Sequence, residues 1–332
     1  VAAAQEAFSQ IDSNSKLKVV KDLESACMDP EVDGLIISTP NFSHISVIRE
    51  AVKSKKHILL EKPMATTIPD AHEIYSIAKN YPAVFQIGLQ YRYKAMYVDA
   101  IQEALNHRKL GDIKMIHILE HRYPFLDKVK QWNKFNQYSG GTLVEKCCHY
   151  FDLMNLFAQS RPTKIYATGS MAVNFRTFEY NGRKSDILDN AVVSVDYENG
   201  VRAGFTLCMF SPQFYEELML CGDEGHLRTH ESIDYLPGLK PKTYSEIKVG
   251  ENSTSRISQP CYPTYIEQSG HDGATFFEHK YFIDKIEGSR RSVATAEEGF
   301  WSIVVGYAAQ KSIELGGPIK INELLQEYSL NL

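Results

Sequence analysis

Short apolar runs alternate with amphipathic segments along the first 92 residues. The runs at 34–39, 57–60 and 83–89 predict strands, because each is bounded by charged or turn-forming residues. The intervening segments 45–53 and 68–80 repeat apolar residues every three or four positions, which predicts helices. Strands that alternate with helices are typical of a parallel sheet whose two faces are both covered.

The pattern changes beyond residue 92. A helix is predicted over 96–105 and a strand over 113–121, followed by a polar and aromatic loop over 124–139. From residue 164 onward apolar and polar residues alternate with a period of two. Asn199-Gly200 separates two such runs and predicts a hairpin turn. This part of the chain therefore predicts a mainly antiparallel sheet.

The last third of the chain predicts a loop and two helices. Residues 234–265 show little periodicity and are expected to form a long loop. Helices are expected over 274–287 and 295–314, the second opening with a capping box formed by Thr295 and Glu298. The predicted fold class is an α/β domain followed by an α+β domain with a large, mainly antiparallel sheet that is open on one face.

Length, charge and cysteine spacing narrow the function classes. A chain of 332 residues favours about two domains. The formal net charge of −5 provides no basic field for nucleic acid. No apolar run approaches the roughly 18–20 residues of a membrane span. The six cysteines lack Cys-x-x-Cys spacing, and no His, Cys or Asp cluster predicts a metal site. A cytoplasmic protein with reduced thiols is expected.

Two segments carry the candidate chemistry. Glu61-Lys62-Pro63 follows the second predicted strand, and ligands of open α/β sheets bind at the carboxyl ends of the strands. The other segment begins at Gly140-Gly141 and predicts one helix in which Glu145, His149 and Asp152 share a face. A lysine from one segment and a carboxylate–imidazole pair from the other can form an acid/base site.

These segments belong to a longer series of motifs. In chain order they are Thr39-Pro40-Asn41 with His44, Glu61-Lys62-Pro63, Arg92, the Gly140-Gly141 helix, Asp189-Asn190-Ala191 and His271-Asp272-Gly273. In this order and at these spacings the chain resembles the glucose–fructose oxidoreductase and inositol dehydrogenase family (Gfo/Idh/MocA) over nearly its whole length. Members of that family are nicotinamide-dependent enzymes that act on sugars, polyols and their derivatives.

The resemblance implies a catalytic group. Lys62 is expected to be the catalytic lysine, with a pKa lowered by partial desolvation and by a cationic nicotinamide. His149 is expected to take the proton of the substrate hydroxyl. Glu145, where many members carry Asp, is expected to hold the imidazole and favour its protonated form. Asp152 is expected to support the helix. The alternatives are a surface loop lysine for Lys62 and a packed core histidine for His149.

The resemblance also implies contacts to cofactor and substrate. The expected cofactor contacts are Thr39, Pro40, Asn41, His44, Glu61, Lys62, Gln90 and Arg92. The expected substrate contacts are Trp132, Lys146 and His271. For these three residues the respective alternatives are aromatic packing, a solvated lysine and packing at a helix start.

The resemblance implies a Rossmann-type dinucleotide-binding domain over 1–92 and a substrate-binding and oligomerisation domain over 93–332. The chain contains no Gly-x-Gly-x-x-Gly sequence, and residues 1–8 read as the interior of a helix. We therefore expect the first strand, glycine loop, first helix and second strand of the family to lie upstream of Val1, which leaves the parallel sheet incomplete. The residue that selects NAD or NADP would lie there too, so either cofactor is expected.

The expected function is hydride transfer between NAD(P) and a secondary alcohol of a sugar, inositol or related polyol. NAD-assisted glycoside cleavage or elimination is one alternative, and a degenerate sugar-binding protein without turnover is another. A homodimer or homotetramer is expected, because the open face of an antiparallel sheet usually needs covering.

Overall fold

The protein combines a small parallel sheet with a large, mainly antiparallel one. The computed structural model describes residues 17–124, 127–234 and 241–330, together with Glu6, Leu236 and Leu239. Apart from Glu6, the helix expected over 1–8 lies outside these residues. Within them a three-stranded sheet precedes a nine-stranded sheet, which confirms the predicted fold class.

The parallel sheet is built from the first predicted strands. Strands β1 (Gly34–Ile37), β2 (His57–Glu61) and β3 (Phe85–Gly88) lie side by side in that order. The helices around them are α1 (Leu23–Met28), α2 (His44–Ala51) and α3 (Ile68–Lys79). Ile58, Leu59 and Leu60 are all fully buried, as expected for a strand that is covered on both faces.

The large sheet contains every long strand of the second half. Its members are β4 (Ile113–His121), β5 (Pro162–Ser170), β8 (Asn190–Tyr197), β9 (Arg202–Cys208), β10 (Gln213–Gly222), β11 (Gly225–Asp234), β12 (Lys242–Val249), β13 (Arg256–Ser258) and β14 (Ile319–Lys320). Their order is β13-β12-β11-β10-β4-β9-β8-β5-β14. All neighbours are antiparallel except β4 and β9. The hairpin predicted at Asn199-Gly200 joins β8 to β9. Strands β6 (Glu179–Tyr180) and β7 (Arg183–Lys184) form a separate hairpin.

Eight further helices follow β3 among the described residues. They are α4 (Ala95–Ile101), α5 (Asn136–Ser139), α6 (Thr142–Glu145), α7 (Cys148–Ala158), α8 (Thr264–Glu267), α9 (Ala274–Ile286), α10 (Ala296–Leu315) and α11 (Ile321–Glu327). Helix α4 continues into a π-helical turn at Gln102–Asn106, and α10 opens with the predicted capping box. Short 3₁₀ segments occupy Asn41–Ser43, Val52–Ser54, Gln90–Tyr93, Val129–Lys134 and His271–Gly273.

The single helix predicted to follow Gly140-Gly141 is wrong, because the helix breaks at Lys146 and Cys147. Helix α6 ends at Glu145, and α7 begins at Cys148. The Cys147 amide donates to the carbonyl of Thr142, five residues back, so the backbone widens there. Glu145 and His149 therefore belong to different helices.

The long loop predicted over 234–265 is also wrong, since it contains β12 and β13. Strand β12 turns a polar residue inward: Ser245 is buried and its hydroxyl donates to the Asp99 carboxylate on α4 at 2.8 Å. This inward polar position conceals the alternation of a half-buried strand.

Two glycines allow the segment that carries Glu145 to pack closely against the segment that carries Lys62. Gly140 and Gly141 both have positive φ angles, 80° and 87°, which a residue with a side chain adopts only with strain. A Cβ atom on Gly140 would lie 2.9 Å from the carbonyl oxygen of Thr66, in the segment that follows Lys62. Close contact at Gly140 thus docks the start of α6 on the end of β2.

No helix in the described part of the chain has the length and apolar character that a membrane crossing requires.

Candidate active site

Lys62 lies at the carboxyl end of β2 and reaches across to α6. The peptide bond between Lys62 and Pro63 is cis. The Lys62 ammonium donates to the main-chain carbonyl of Glu145 at 3.1 Å, and its Nζ lies 3.9 Å from the Glu145 carboxylate. The two segments singled out in the sequence, 83 residues apart, therefore meet at one point.

In the protein alone, the Lys62 amine is protonated near neutral pH. Burial favours the neutral amine, but the acidic groups around it, Glu145 foremost with Cys148 and Glu61, together outweigh burial, so the pKa of Lys62 lies above its ordinary value. The expectation of a lowered pKa is therefore wrong for the protein without its cofactor.

His149 lies in the first turn of α7 and is 2% exposed. Its ring stacks on Tyr91, with centroids 4.1 Å apart and planes 10° from parallel. Nδ1 has no hydrogen-bond partner among the described residues. Burial, reinforced by the charges of Lys62 and Lys146, lowers the pKa of His149 well below its ordinary value. The expectation that Glu145 favours protonated His149 is therefore wrong, because burial, with the positive charges added to it, favours the neutral imidazole.

A pH-dependent contribution to stability follows from His149. A folded-state pKa below the unfolded value means that the unfolded chain binds more protons as the pH falls below about 6.5. We expect His149→Asn to reduce the loss of unfolding free energy below pH 6.5, by up to about 1.4 kcal/mol per pH unit. Urea titrations at several pH values measure this difference. His107→Asn, at a largely exposed position, is the control and should keep the parental slope.

Lys146 is buried beside this stack. Its Nζ donates to the Tyr91 hydroxyl at 2.9 Å and lies 3.0 Å from a Glu120 carboxylate oxygen. Its side chain is 7% exposed, so the alternative of a solvated lysine is wrong. A direct substrate contact by Lys146 stays a prediction.

Below Lys146 the large sheet carries a row of three glutamates that the sequence patterns did not reveal. Glu216 on β10 is directly opposite Glu120 on β4 and Glu231 on β11. Lys94 binds two of them, at 2.6 Å from Glu216 and 3.0 Å from Glu231. We refer to these three carboxylates as the glutamate row. A glutamate at the inward position of an alternating strand is the sequence signal that marks each of them.

Arg92 does not face the cofactor-side loops. Its guanidinium makes two 2.6 Å hydrogen bonds to Asp152 and one of 2.8 Å to Glu298. A guanidinium held by two carboxylates is committed to them, so the expected cofactor contact by Arg92 is wrong. The expected supporting role of Asp152 fits this bidentate pair.

Breaking this pair should destabilise the fold. We expect Asp152→Asn to lower the free energy of unfolding by about 3–5 kcal/mol, because it leaves a buried guanidinium without its bidentate partner. Asp284→Asn, which breaks a more exposed pair with Lys280, should cost no more than about 1 kcal/mol. Denaturant titration of both variants provides the comparison, and equal losses would contradict the assignment.

The loops beyond β1 and β3 fit a nucleotide cofactor in part. Asn41 Nδ2 and Gln90 Oε1 are buried without a hydrogen-bond partner among the described residues. Such groups need a polar partner, and a carboxamide or ribose hydroxyl would supply one. Thr39 is exposed and Pro40 half-buried beside them.

His44 has a different position from the one expected. It is buried, and its two ring nitrogens contact the main-chain carbonyls of Thr39 and Pro63, each at 2.9 Å. A neutral imidazole donates from one nitrogen only, so His44 donates to one of the two carbonyls. Both nitrogens face main-chain carbonyls, and the ring lies between the end of β1 and the Lys62 loop.

Glu61 turns towards helix α9. One of its carboxylate oxygens accepts a hydrogen bond from the Lys62 amide at 3.2 Å. Ligand atoms of Glu61, Glu278 and His279 lie within 4.8 Å of one another. This group could not be predicted from the sequence, because Glu61 is far from the other two residues along the chain.

Trp132 and His271 stay predictions as substrate contacts. Trp132 lines a groove of about 610 Å³ beside Pro40 and Phe42. His271 remains open to solvent on one side and lies 6.1 Å, between ring centroids, from Tyr91. Burial of its other side, with the charges of Lys146 and Lys62, lowers the pKa of His271 to about 4.

Comparisons with known proteins agree with this geometry. Residues 1–89 match the model of an oxidoreductase family with an NAD-binding Rossmann fold, GFO_IDH_MocA, and residues 102–321 match the C-terminal alpha/beta domain of the same family.

Relatives align over most of both chains. A myo-inositol 2-dehydrogenase from Thermotoga maritima is 22% identical over 93% of this chain and 85% of its own. A 1,5-anhydro-D-fructose reductase from Ensifer adhaerens is 23% identical over 92% and 84%. The structure of a levoglucosan dehydrogenase with NADH and levoglucosan has a TM-score of 0.77 at 16% identity, and covers 96% of this chain and 88% of that one.

Proposed function

Because the chain belongs to the GFO/IDH/MocA oxidoreductase family, we propose that it transfers hydride reversibly between NAD(P) and a secondary alcohol of a sugar, inositol or related polyol. The observation that carries the proposal is the meeting of Lys62 with Glu145, next to His149, at the carboxyl end of the parallel sheet. Open α/β sheets bind their ligands at this edge. The activities of the inositol and anhydrofructose relatives support the substrate class.

Proton transfer falls to Lys62 and His149. The nicotinamide supplies the hydride acceptor or donor when it is bound. In oxidation, the neutral His149 imidazole can accept the hydroxyl proton of the substrate. In reduction, the charged Lys62 ammonium can donate a hydrogen bond, and then a proton, to the carbonyl oxygen. Glu145 holds Lys62 in place through its main-chain carbonyl and carboxylate.

Cofactor contacts are assigned to the two loops with unpartnered polar groups. Asn41 and Gln90 offer a buried amide nitrogen and a buried amide oxygen, and Thr39 and Pro40 line the surface beside them. We assign the cofactor as NAD or NADP without choosing between them.

A substrate panel tests the function. The protein is incubated with NAD⁺ or NADP⁺ and, separately, with inositols, free sugars and anhydrosugars, while absorbance at about 340 nm reports the reduced nicotinamide. We expect accumulation with at least one free polyol or sugar. Glycoside cleavage without net accumulation would instead favour transient oxidation, and no turnover across the panel together with sugar binding would favour the degenerate binding protein.

Self-association through the open sheet face is part of the proposal. Met115, Tyr166 and Val192 are 61%, 46% and 57% exposed on that face, and large apolar side chains exposed on a sheet face are suited to an interface. These residues lie on one open face without forming a continuous patch, since Arg202 lies beside Met115 and Asp196 lies beside Arg202. We expect light scattering after size exclusion to give at least twice the mass of one chain. Monomeric behaviour at micromolar concentration would contradict the assignment.

A cytoplasmic location is proposed from the thiols. All six cysteines are free, and three of them are buried. Reduced thiols are maintained in the cytosol.

A further inference from the structure

Two carboxylates and an imidazole converge outside the Lys62–His149 pair. Glu61 ends β2, while Glu278 and His279 lie on α9. One ligand atom from each of the three side chains lies within 4.8 Å of the other two. The group joins the parallel sheet to a helix of the second half, so it arises only in the folded protein.

Neither carboxylate forms an ion pair among the described residues, although the charge of Lys62 acts on both. Glu278 is 0% exposed, and neither of its oxygens has a hydrogen-bond partner among the described residues. Glu61 accepts one hydrogen bond, from the Lys62 amide. The Lys62 ammonium is directed to Glu145 instead. Burial and the neighbouring Glu61 raise the pKa of Glu278 well above its ordinary value. Two like charges buried together in this way call for a cation or a proton.

Gly88 on β3 shows how closely the two carboxylates approach one point. A Cβ atom at this glycine would lie 2.9 Å from a Glu61 oxygen and 3.0 Å from a Glu278 oxygen. A side chain at position 88 would therefore compete for the space between the carboxylates, and glycine leaves that space to them.

We propose that Glu61, Glu278 and His279 bind a divalent transition-metal cation. Two carboxylate oxygens and one imidazole nitrogen form a ligand set that suits Zn²⁺ or Mn²⁺ and leaves further positions to water. Ligand atoms about 2.1 Å from a metal lie roughly 3–3.5 Å apart, so the three side chains need only a small contraction. A shared proton would satisfy the carboxylates alone and would give the imidazole no part.

The bound cation would fasten α9 to the end of β2. Its ligands come from the two parts of the chain, and it would neutralise the only two carboxylates of the group. The metal proposal does not rest on the proposed hydride transfer, because none of the three ligands moves the substrate proton, although Glu61 directly precedes Lys62 and accepts from its amide.

Metal titration of the chelator-treated full chain tests the proposal. Mn²⁺ binding is followed by electron paramagnetic resonance and Zn²⁺ binding by calorimetry. We expect one saturable site for at least one of the two ions in the parent. Glu278→Gln and His279→Ala should each weaken it about tenfold or more, because each removes a ligand. Glu287→Gln, which removes an exposed carboxylate at the C-terminal end of α9, should bind like the parent.

Circular dichroism establishes whether each variant is folded. If Glu278→Gln does not fold, the conclusion rests on His279→Ala. No saturable site in the parent would overturn the proposal in favour of a shared proton. Parental binding by either folded variant would overturn it as well, since the ion would then be held elsewhere. Loss in both variants with retention in Glu287→Gln would support it.

Discussion

Replacing Lys62 with methionine is expected to reduce kcat/KM about 10²–10⁴-fold, the usual contribution of one acid/base group. Methionine retains much of the length and apolar volume of lysine but lacks the ammonium that contacts Glu145. Cofactor binding should therefore change little, which fluorescence titration with the reduced nicotinamide measures.

The matched control is Lys128→Met, which removes an exposed positive charge whose field also reaches Glu61. We expect this variant to remain within a few-fold of the parent. If Lys62→Met also stays within a few-fold, Lys62 is not the acid/base group and the proposed mechanism fails.

The second large effect is expected at His149, and double-mutant cycles test whether Glu145 acts through Lys62 or through His149. His149→Asn should lower kcat/KM about 10²–10⁴-fold, because asparagine cannot exchange a proton near neutral pH. The carboxylate of Glu145 lies 3.9 Å from the Lys62 ammonium. The pKa of His149 is lowered by burial first and then by the positive charges around it. Adding Glu145→Gln to Lys62→Met should therefore cost little more than Lys62→Met alone.

Adding Glu145→Gln to His149→Asn should instead multiply the two single losses, since residues that do not interact act additively in free energy. The four rate constants of each cycle are measured under the same conditions. Multiplicative losses with Lys62 and non-additive losses with His149 would reverse this assignment and restore the coupling that the sequence predicted.

Much of the fold could be predicted because local patterns agree with the tertiary structure. Strands β1 to β4 follow apolar runs, and α10 begins at the predicted capping box. Strand β12 was missed because Ser245 points inward to a partner on another element. A polar residue with a distant partner cannot be told from a loop residue by periodicity.

The candidate site was predictable at its centre and not in its surroundings. The motifs placed Lys62 at the end of a strand and Glu145 near the start of a helix, and the two residues meet in the structure. The stack of Tyr91 on His149 depends on how the turn after β3 packs on α7. Arg92 is the clearest failure, because its carboxylate partners Asp152 and Glu298 are 60 and 206 residues away.

The glutamate row constrains how this protein can change through evolution. Side chains of a strand alternate between its faces, so a slip of one residue in β10 would carry Glu216 to the outer face and remove one of the two glutamates that bind Lys94. Substitution of Lys94 alone would leave the buried carboxylates of Glu216 and Glu231 without the cation that binds both. Loss of one glutamate would remove one of the ion pairs of Lys94. We therefore expect these positions to change together among descendants of this chain. A substitution that removes the lysine charge should accompany substitutions that remove the glutamate charges, while the register of β10 is kept.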